Sequence, residues 1–153
     1  MNRGKTVTGL SALALVVATA AWADIAPADI KFNDLKVDAA LTDQPGDPEA
    51  GAKAFRDTKA GNCLACHANK AMNKDLFHGN VGPVMDGVAG RYEPAQLRAI
   101  LINSKAVFGP QTVMPGFYTL DVGINVREES IGKTVLNAQQ VEDIVAYLGT
   151  LKE

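Results

Sequence analysis

The sequence has 153 residues, two cysteines, two histidines and a formal net charge of −2 at pH 7. That length suits one domain with one core. The chain has no cluster of basic residues, so its charge pattern excludes a protein that binds nucleic acid.

Residues 1–23 have the pattern of a secretory signal peptide. Arg3 and Lys5 make a short positive start, an apolar run covers residues 9–21, and Ala21-Trp22-Ala23 fits a cleavage site before Asp24. A membrane anchor is the alternative, but the apolar run is too short to span a bilayer. We therefore expect export to the periplasm, with no membrane attachment after cleavage.

Residues 24–46 form an acidic extension with scattered apolar positions, and Gln44-Pro45-Gly46 closes it with a turn signal. The composition favours a solvated tail. A strap that crosses a partner subunit is the alternative, and on that interpretation the extension is a partner arm.

The run Cys63-Leu64-Ala65-Cys66-His67 is a C-x-x-C-H motif, the signature of covalent c-type haem attachment. Cys63 and Cys66 can form thioether bonds to haem, and His67 can ligate the iron through its imidazole. Zinc is a weak alternative because the only other histidine is His78. A thioredoxin-type site is also weak, because no βαβ pattern surrounds the motif.

Asp47-Pro48 predicts the start of a helix, with Asp47 as the cap. Gly51 and Phe55 share one face of that helix. A G-x-x-x-F pattern ahead of C-x-x-C-H resembles the class I c-type cytochromes. The resemblance implies an all-α fold over residues 47–153, in which the terminal helices cross around one covalently bound haem.

The same resemblance assigns roles to residues that follow the motif. The carbonyl of Pro83, in Gly82-Pro83, is expected to accept a hydrogen bond from His67. Gly87 to Arg91 is similar to the G-V-x-G-R segment of the family, which makes Arg91 and Tyr92 candidates for holding a haem propionate. For Arg91, an ordinary solvated surface position is the alternative.

Two further helices are predicted from periodicity and caps. The first covers residues 94–103, with Pro94 at its start, and ends at Asn103. The last begins at a capping box formed by Asn137 and Gln140, and its Tyr147 is expected to face the helix of Gly51 and Phe55.

The class I resemblance also implies a distal ligand in a Met-Pro loop after the middle helix, here Met114-Pro115. Three rivals for Met114 stay open at this point: Met72, Met85 and His78. Met85 follows Pro83 closely and suits a core position, Met72 would have to pass around the haem edge, and an isolated histidine in a glycine-rich loop is usually solvated.

A narrower resemblance is to the SoxX family, the monohaem subunits of the periplasmic SoxAX cytochromes. It rests on Gly82-Pro83 through Gly90-Arg91-Tyr92, Gln96-Leu97-Arg98, Asn103-x-Lys105, and Phe108-Gly109-Pro110-x-Thr112-x-Met114-Pro115. The long segment 119–135 before the last helix is compatible with it.

The SoxX resemblance implies three partners. A SoxA-like haem subunit completes a heterodimeric L-cysteine S-thiosulfotransferase, a carrier protein presents the reactive cysteine, and a small soluble cytochrome c accepts the electrons. This chain is then the electron-accepting subunit of an enzyme, and by itself it only carries electrons.

Two other functions stay open. A free periplasmic class I cytochrome c would shuttle electrons without a fixed partner. A haem-based gas sensor or peroxidase would need an open distal site, and the Met-Pro loop argues against one.

Overall fold

The computed structural model describes residues 24–153, so the predicted signal peptide at 1–23 lies outside the described residues. Within that range the α-helices are α1 (Pro48–Arg56), α2 (Val88–Arg91), α3 (Pro94–Phe108) and α4 (Ala138–Leu148). Short 3-10 helices cover Pro27–Asp29, Cys63–Ala65, Lys70–Met72 and Glu128–Ser130. The β pairing in residues 24–153 amounts to one isolated bridge, between Asn33 and Lys36. The predicted all-α fold is therefore confirmed. None of the described helices combines the length and the apolar character needed to cross a membrane.

Both terminal helices begin where the sequence predicts. The Asp47 carboxylate accepts a hydrogen bond from the Glu49 amide at 2.8 Å, and Pro48 takes the first helical position. The Asn137 side chain accepts from the Gln140 amide at 2.8 Å, while the Gln140 side chain accepts from the Asn137 amide at 2.9 Å. These caps satisfy amides that have no partner inside the helix.

The two terminal helices, α1 and α4, cross at Gly51. A Cβ atom on Gly51 would overlap the Asp143 carbonyl and lie 2.8 Å from the Tyr147 Cβ, so only glycine permits this approach. One turn further, the rings of Phe55 and Tyr147 meet edge to face, with centroids 5.6 Å apart and planes at 63°. The predicted contact of Tyr147 with the Gly51 and Phe55 face is confirmed.

Helix α3 extends beyond its predicted end. The backbone of Asn103 is not helical, with φ −150° and ψ 90°, but the helix resumes after it and continues to Phe108. The Asn103 side chain accepts a hydrogen bond from the Lys105 amide at 3.1 Å and so caps the second part of the helix. The prediction that the helix ends at Asn103 was wrong, because this residue marks a break within it.

The N-terminal extension lies on the core of its own domain. Val37 is 2% exposed and Leu41 is fully buried, and both belong to the same apolar cluster as α3 and α4. The Val37 amide donates to the Ala95 carbonyl at 3.0 Å. The solvated-tail interpretation of residues 24–46 was therefore wrong for the stretch around Val37 and Leu41. Contact of the extension with a partner subunit stays a prediction.

A buried ion pair holds the extension in place. Arg98 of α3 donates from Nε and Nη2 to the two carboxylate oxygens of Glu142 of α4, at 2.7 and 2.8 Å. Its Nη1 donates to the Val37 carbonyl at 2.9 Å, and the Leu41 amide donates to Glu142 Oε1 at 2.9 Å. Since each charged group has hydrogen-bond partners, the cost of burying the pair is largely offset.

We expect Leu41→Ala to destabilise the haem-loaded protein by about 2–5 kcal/mol, because it leaves a cavity in the core. Leu35→Ala is the matched control, since Leu35 is half exposed and its truncation should cost at most about 0.5 kcal/mol. Guanidinium unfolding followed by circular dichroism measures both. Equal stability of the two variants would contradict the placement of the extension in the core.

Candidate haem site

The C-x-x-C-H motif forms one tight turn. Asn62 precedes it in the left-handed conformation, with φ 47° and ψ 36°, and the 3-10 helix Cys63–Ala65 follows. The amides of Cys66 and His67 both donate to the Cys63 carbonyl, at 3.0 and 2.9 Å. The turn thus brings the two thiols and the imidazole together over five residues.

The environment of the motif does not suit thiol redox chemistry or zinc. Burial raises the pKa of the Cys63 thiol to about 12, so Cys63 stays protonated at neutral pH. A thiol in that state is a poor nucleophile in disulfide exchange. Among residues 24–153, no group of three or more His, Cys, Asp or Glu side chains is placed to hold a metal ion.

A second segment runs beside the motif and brings Pro83 to His67. The amide of Gly79 donates to the Leu64 carbonyl at 2.7 Å, that of Gly82 to Cys66 at 2.9 Å, and that of Met85 to Ala68 at 2.9 Å. The residue numbers of donor and acceptor increase together in these three bonds, so residues 79–85 run parallel to residues 64–68.

The His67 ring is fixed by the segment beside it. His67 Nδ1 lies 2.7 Å from the Pro83 carbonyl oxygen. A carbonyl can only accept, so Nδ1 is the protonated nitrogen and Nε2 keeps its lone pair. A Cβ atom on Gly82 would come within 2.7 Å of Nδ1 and 2.9 Å of Nε2, so the ring occupies the space that a side chain would need. This is the tautomer and support of a histidine that binds a metal through Nε2.

Arg91 holds the backbone that follows Pro83. Its Nη1 donates to the Asp86 carbonyl and its Nη2 to the Val84 carbonyl, each at 2.7 Å. Tyr92 is partly buried and packs on the edge of the core. The proposed contacts of Arg91 and Tyr92 with a haem propionate stay predictions, and bracing of this loop is a role of Arg91 that the sequence did not reveal.

The three methionines of the described residues differ in burial. Met72 and Met85 are 6% and 8% exposed and belong to the core cluster. Met114 is only partly buried and packs at the edge of that cluster. Met114 is thus the methionine with a side chain that is not enclosed by the core.

His78 has both ring nitrogens engaged. Its Nδ1 accepts from the Asn69 amide at 3.2 Å, so Nε2 carries the proton and donates to the Met72 carbonyl at 2.9 Å. His78 is partly and not fully solvated, because its ring closes the loop between residues 69 and 78. Ligation by His78 would break one of these hydrogen bonds.

Sequence reasoning missed Asn69. This side chain is 1% exposed, donates to the Tyr147 hydroxyl at 2.7 Å and accepts from the Ala71 amide at 3.0 Å. Asn69 therefore joins the loop after His67 to α4. Burial raises the pKa of its partner, the Tyr147 hydroxyl. No spacing or composition signal marks an asparagine for such a role, since its partner lies far away in the sequence.

The residues present fit a covalently attached haem. Two thiols and an imidazole share one turn, the free Nε2 of His67 suits iron, and the chain offers a methionine outside the core. Apolar side chains in the two loops that carry Pro83 and Met114 are exposed, namely Val81, Val84 and Val113. Such side chains suit contact with a large apolar cofactor.

Comparisons with known proteins identify the family of this chain. The family model named Cytochrome c matches residues 48–152. No curated protein matches the chain. The crystal structure of SoxXA from P. pantotrophus contains a chain that is 39% identical, with a TM-score of 0.78, over 85% of this chain and 99% of that one. Ferric cytochrome c-550 from Paracoccus versutus is 19% identical over 71% of this chain and 99% of its own, with a TM-score of 0.40.

Both the extent of the family match and the identity to the SoxXA chain establish the family, and the family indicates covalently bound haem c. The chain belongs to the cytochrome c family and is a monohaem electron-transfer cytochrome of the SoxX type.

Proposed function

We propose that this protein is the electron-accepting subunit of a periplasmic heterodimer with a SoxA-like haem subunit. The complex oxidatively joins thiosulfate to a cysteine of a carrier protein, and this chain passes the electrons on to a small soluble cytochrome c. The observation that carries the proposal is the 39% identity to a chain of SoxXA over nearly the whole of that chain.

The axial ligands in this proposal are His67 and Met114, and Cys63 and Cys66 attach the haem. His67 is supported by its Nδ1 contact with Pro83, which leaves Nε2 for the iron. Met114 is supported by the burial of Met72 and Met85 in the core and by the hydrogen bonds that occupy both nitrogens of His78. Haem c with this ligand pair supplies reversible one-electron chemistry, and a neutral thioether favours the reduced iron.

The residues of this chain position the cofactor and leave no thiol free for sulfur chemistry. The hydrogen bond from His67 to Pro83 fixes the ring orientation and raises the basicity of the ligand. The sequence contains two cysteines, and both are assigned to the haem, so no thiol is left to act on sulfur.

The chemistry of the complex divides between its subunits. When thiosulfate joins a cysteine thiol, an S–S bond forms, the S–H bond breaks, and one proton and two electrons leave. A monohaem subunit carries the electrons away one at a time. Because both cysteines of this chain are assigned to the haem, we place formation of the sulfur bond on the partner subunit.

Gly82→Ala tests the placement of His67. The added methyl group would overlap the imidazole ring, so we expect the yield of haem-loaded protein to fall by about tenfold and the remainder to lose its low-spin spectrum. Gly90→Ala is the control, because a Cβ there would meet no heavy atom within 4 Å outside its chain neighbours and its own helix backbone. A Gly82→Ala protein with wild-type yield and spectrum would exclude the proposed geometry of His67.

Met114→Ala tests the distal ligand. We expect the ferric protein to lose the weak far-red absorption band of a thioether-ligated haem and to bind carbon monoxide when reduced, because the sixth position opens. Met72→Leu and Met85→Leu are the controls and should retain the band, since both side chains are core residues. If Met114→Ala retains a closed low-spin site, His78→Gln should be measured next, and loss of the closed site there would assign the ligand to His78.

The proposed complex is tested by mixing the haem-loaded chain with a SoxA-like subunit encoded beside it. We expect one complex in gel filtration, and thiosulfate conjugation to a carrier-protein cysteine, seen as a mass increase. Neither subunit alone should support turnover with a soluble cytochrome c as electron acceptor. If the chain stays monomeric beside the SoxA-like subunit and still reduces the soluble cytochrome, it is a free electron shuttle.

A further inference from the structure

The break in α3 faces the loop that carries Met114. Helical hydrogen bonding is interrupted at Asn103, which frees carbonyl groups in the preceding turn for other partners. The Leu101 carbonyl accepts from the Phe117 amide at 2.9 Å, and the Ile102 carbonyl accepts from the Tyr118 amide at 3.2 Å. The end of the Met114 loop is therefore hydrogen-bonded to the helix at its break.

Ser104, the residue after the break, contacts Met114 directly. Its hydroxyl lies 2.5 Å from the Met114 carbonyl and 3.2 Å from the Pro115 carbonyl. A hydroxyl has one proton to donate, so the shorter contact, to Met114, is the principal hydrogen bond. Ser104 is fully buried, so water cannot replace the hydroxyl if it is lost.

Two further contacts hold the same loop. Lys105 Nζ donates to the Thr112 carbonyl at 2.8 Å, from an exposed position. On the other side of Met114, a Cβ on Gly116 would come within 3.0 Å of the Ile102 carbonyl oxygen, so the loop lies directly against the helix. Residues 112–118 are thus fixed at both ends and in the middle.

We propose that Ser104 is a positioning residue for the distal ligand, and that the break at Asn103 exists in α3 to present it. An unbroken helix would commit the carbonyls of Leu101 and Ile102 to its own amides. The break turns these carbonyls to the loop, and the Ser104 hydroxyl then sets the backbone at Met114. The loop conformation would then hold the thioether in place for the iron, in addition to the strength of the iron–sulfur bond itself. This inference rests on the proposed ligation by Met114.

The test uses the full-length, haem-loaded protein in the ferric state, titrated with imidazole. Imidazole must displace the distal ligand to bind, so its apparent affinity reports how firmly the loop holds Met114. Ser104→Ala should raise that affinity by about tenfold, because the Met114 carbonyl loses a buried hydrogen bond. It should also weaken the far-red thioether band.

Thr150→Val, at an exposed residue, is the control for loss of a hydroxyl-to-carbonyl hydrogen bond outside the Met114 loop. The Thr150 hydroxyl donates to the Tyr147 carbonyl at 2.6 Å, the same kind of bond at the end of α4. Its loss should leave imidazole affinity and the far-red band unchanged. A purely structural Ser104 would lower stability without moving either readout relative to Thr150→Val, and that result would overturn the proposal.

Lys105→Met covers the case in which Ser104→Ala yields no haem-loaded protein. It removes the exposed bond to the Thr112 carbonyl without disturbing the core, and it should raise imidazole affinity about threefold, in keeping with one lost hydrogen bond at the surface. No change in that variant would then overturn the proposal. Met114→Ala separates the ligand assignment from the positioning role of Ser104. If it abolishes the band while Ser104→Ala leaves the band and affinity intact, the ligand assignment stands and only the positioning role fails.

Discussion

The buried pair of Arg98 and Glu142 is the interaction on which the assembly of this chain depends. It joins α3 to α4, and its remaining hydrogen-bonding positions receive the Val37 carbonyl and the Leu41 amide of the N-terminal extension. Burying a charged pair is costly, and the pair contributes little net stability unless its geometry is complete. Here four hydrogen bonds complete it, and they join three parts of the chain: α3, α4 and the N-terminal extension.

The extension also reaches the loop that carries Met114. The Tyr118 hydroxyl, at the end of the Met114 loop, donates to the Ile25 carbonyl at 2.8 Å, and the Ile25 amide donates to the Leu41 carbonyl at 2.8 Å. Burial is the main cause that raises the pKa of Tyr118, so its hydroxyl remains a donor well above neutral pH. The extension therefore connects the ion pair to the loop that carries Met114, the proposed distal ligand, which a free tail could not do.

The segments that carry the two proposed axial ligands, His67 on the proximal side and Met114 on the distal side, are built by different means. On the proximal side, two neighbouring segments share main-chain hydrogen bonds, and the position of His67 follows from the bond to Pro83 and the bare backbone of Gly82. On the distal side, a broken helix supplies carbonyls and a hydroxyl to a loop. The first arrangement depends on short spacings along the chain, whereas the second depends on a departure from regular helix geometry at Asn103.

The sequence by itself determined the attachment motif, the starts of α1 and α4 at Asp47 and Asn137, the close contact at Gly51, and the family. These features depend on residue types a few positions apart, or on a glycine, which has no side chain, at the point where two helices meet. The tertiary structure alone decided the packing of Leu41, the hydrogen bonds of His78 and Asn69, the bracing role of Arg91, and the break at Asn103. Leu41 and Glu142 are 101 residues apart, and Arg98 and Glu142 are 44 apart. No local pattern encodes such pairs, because whether a polar group is satisfied by water or by a distant partner is settled only when the chain has folded.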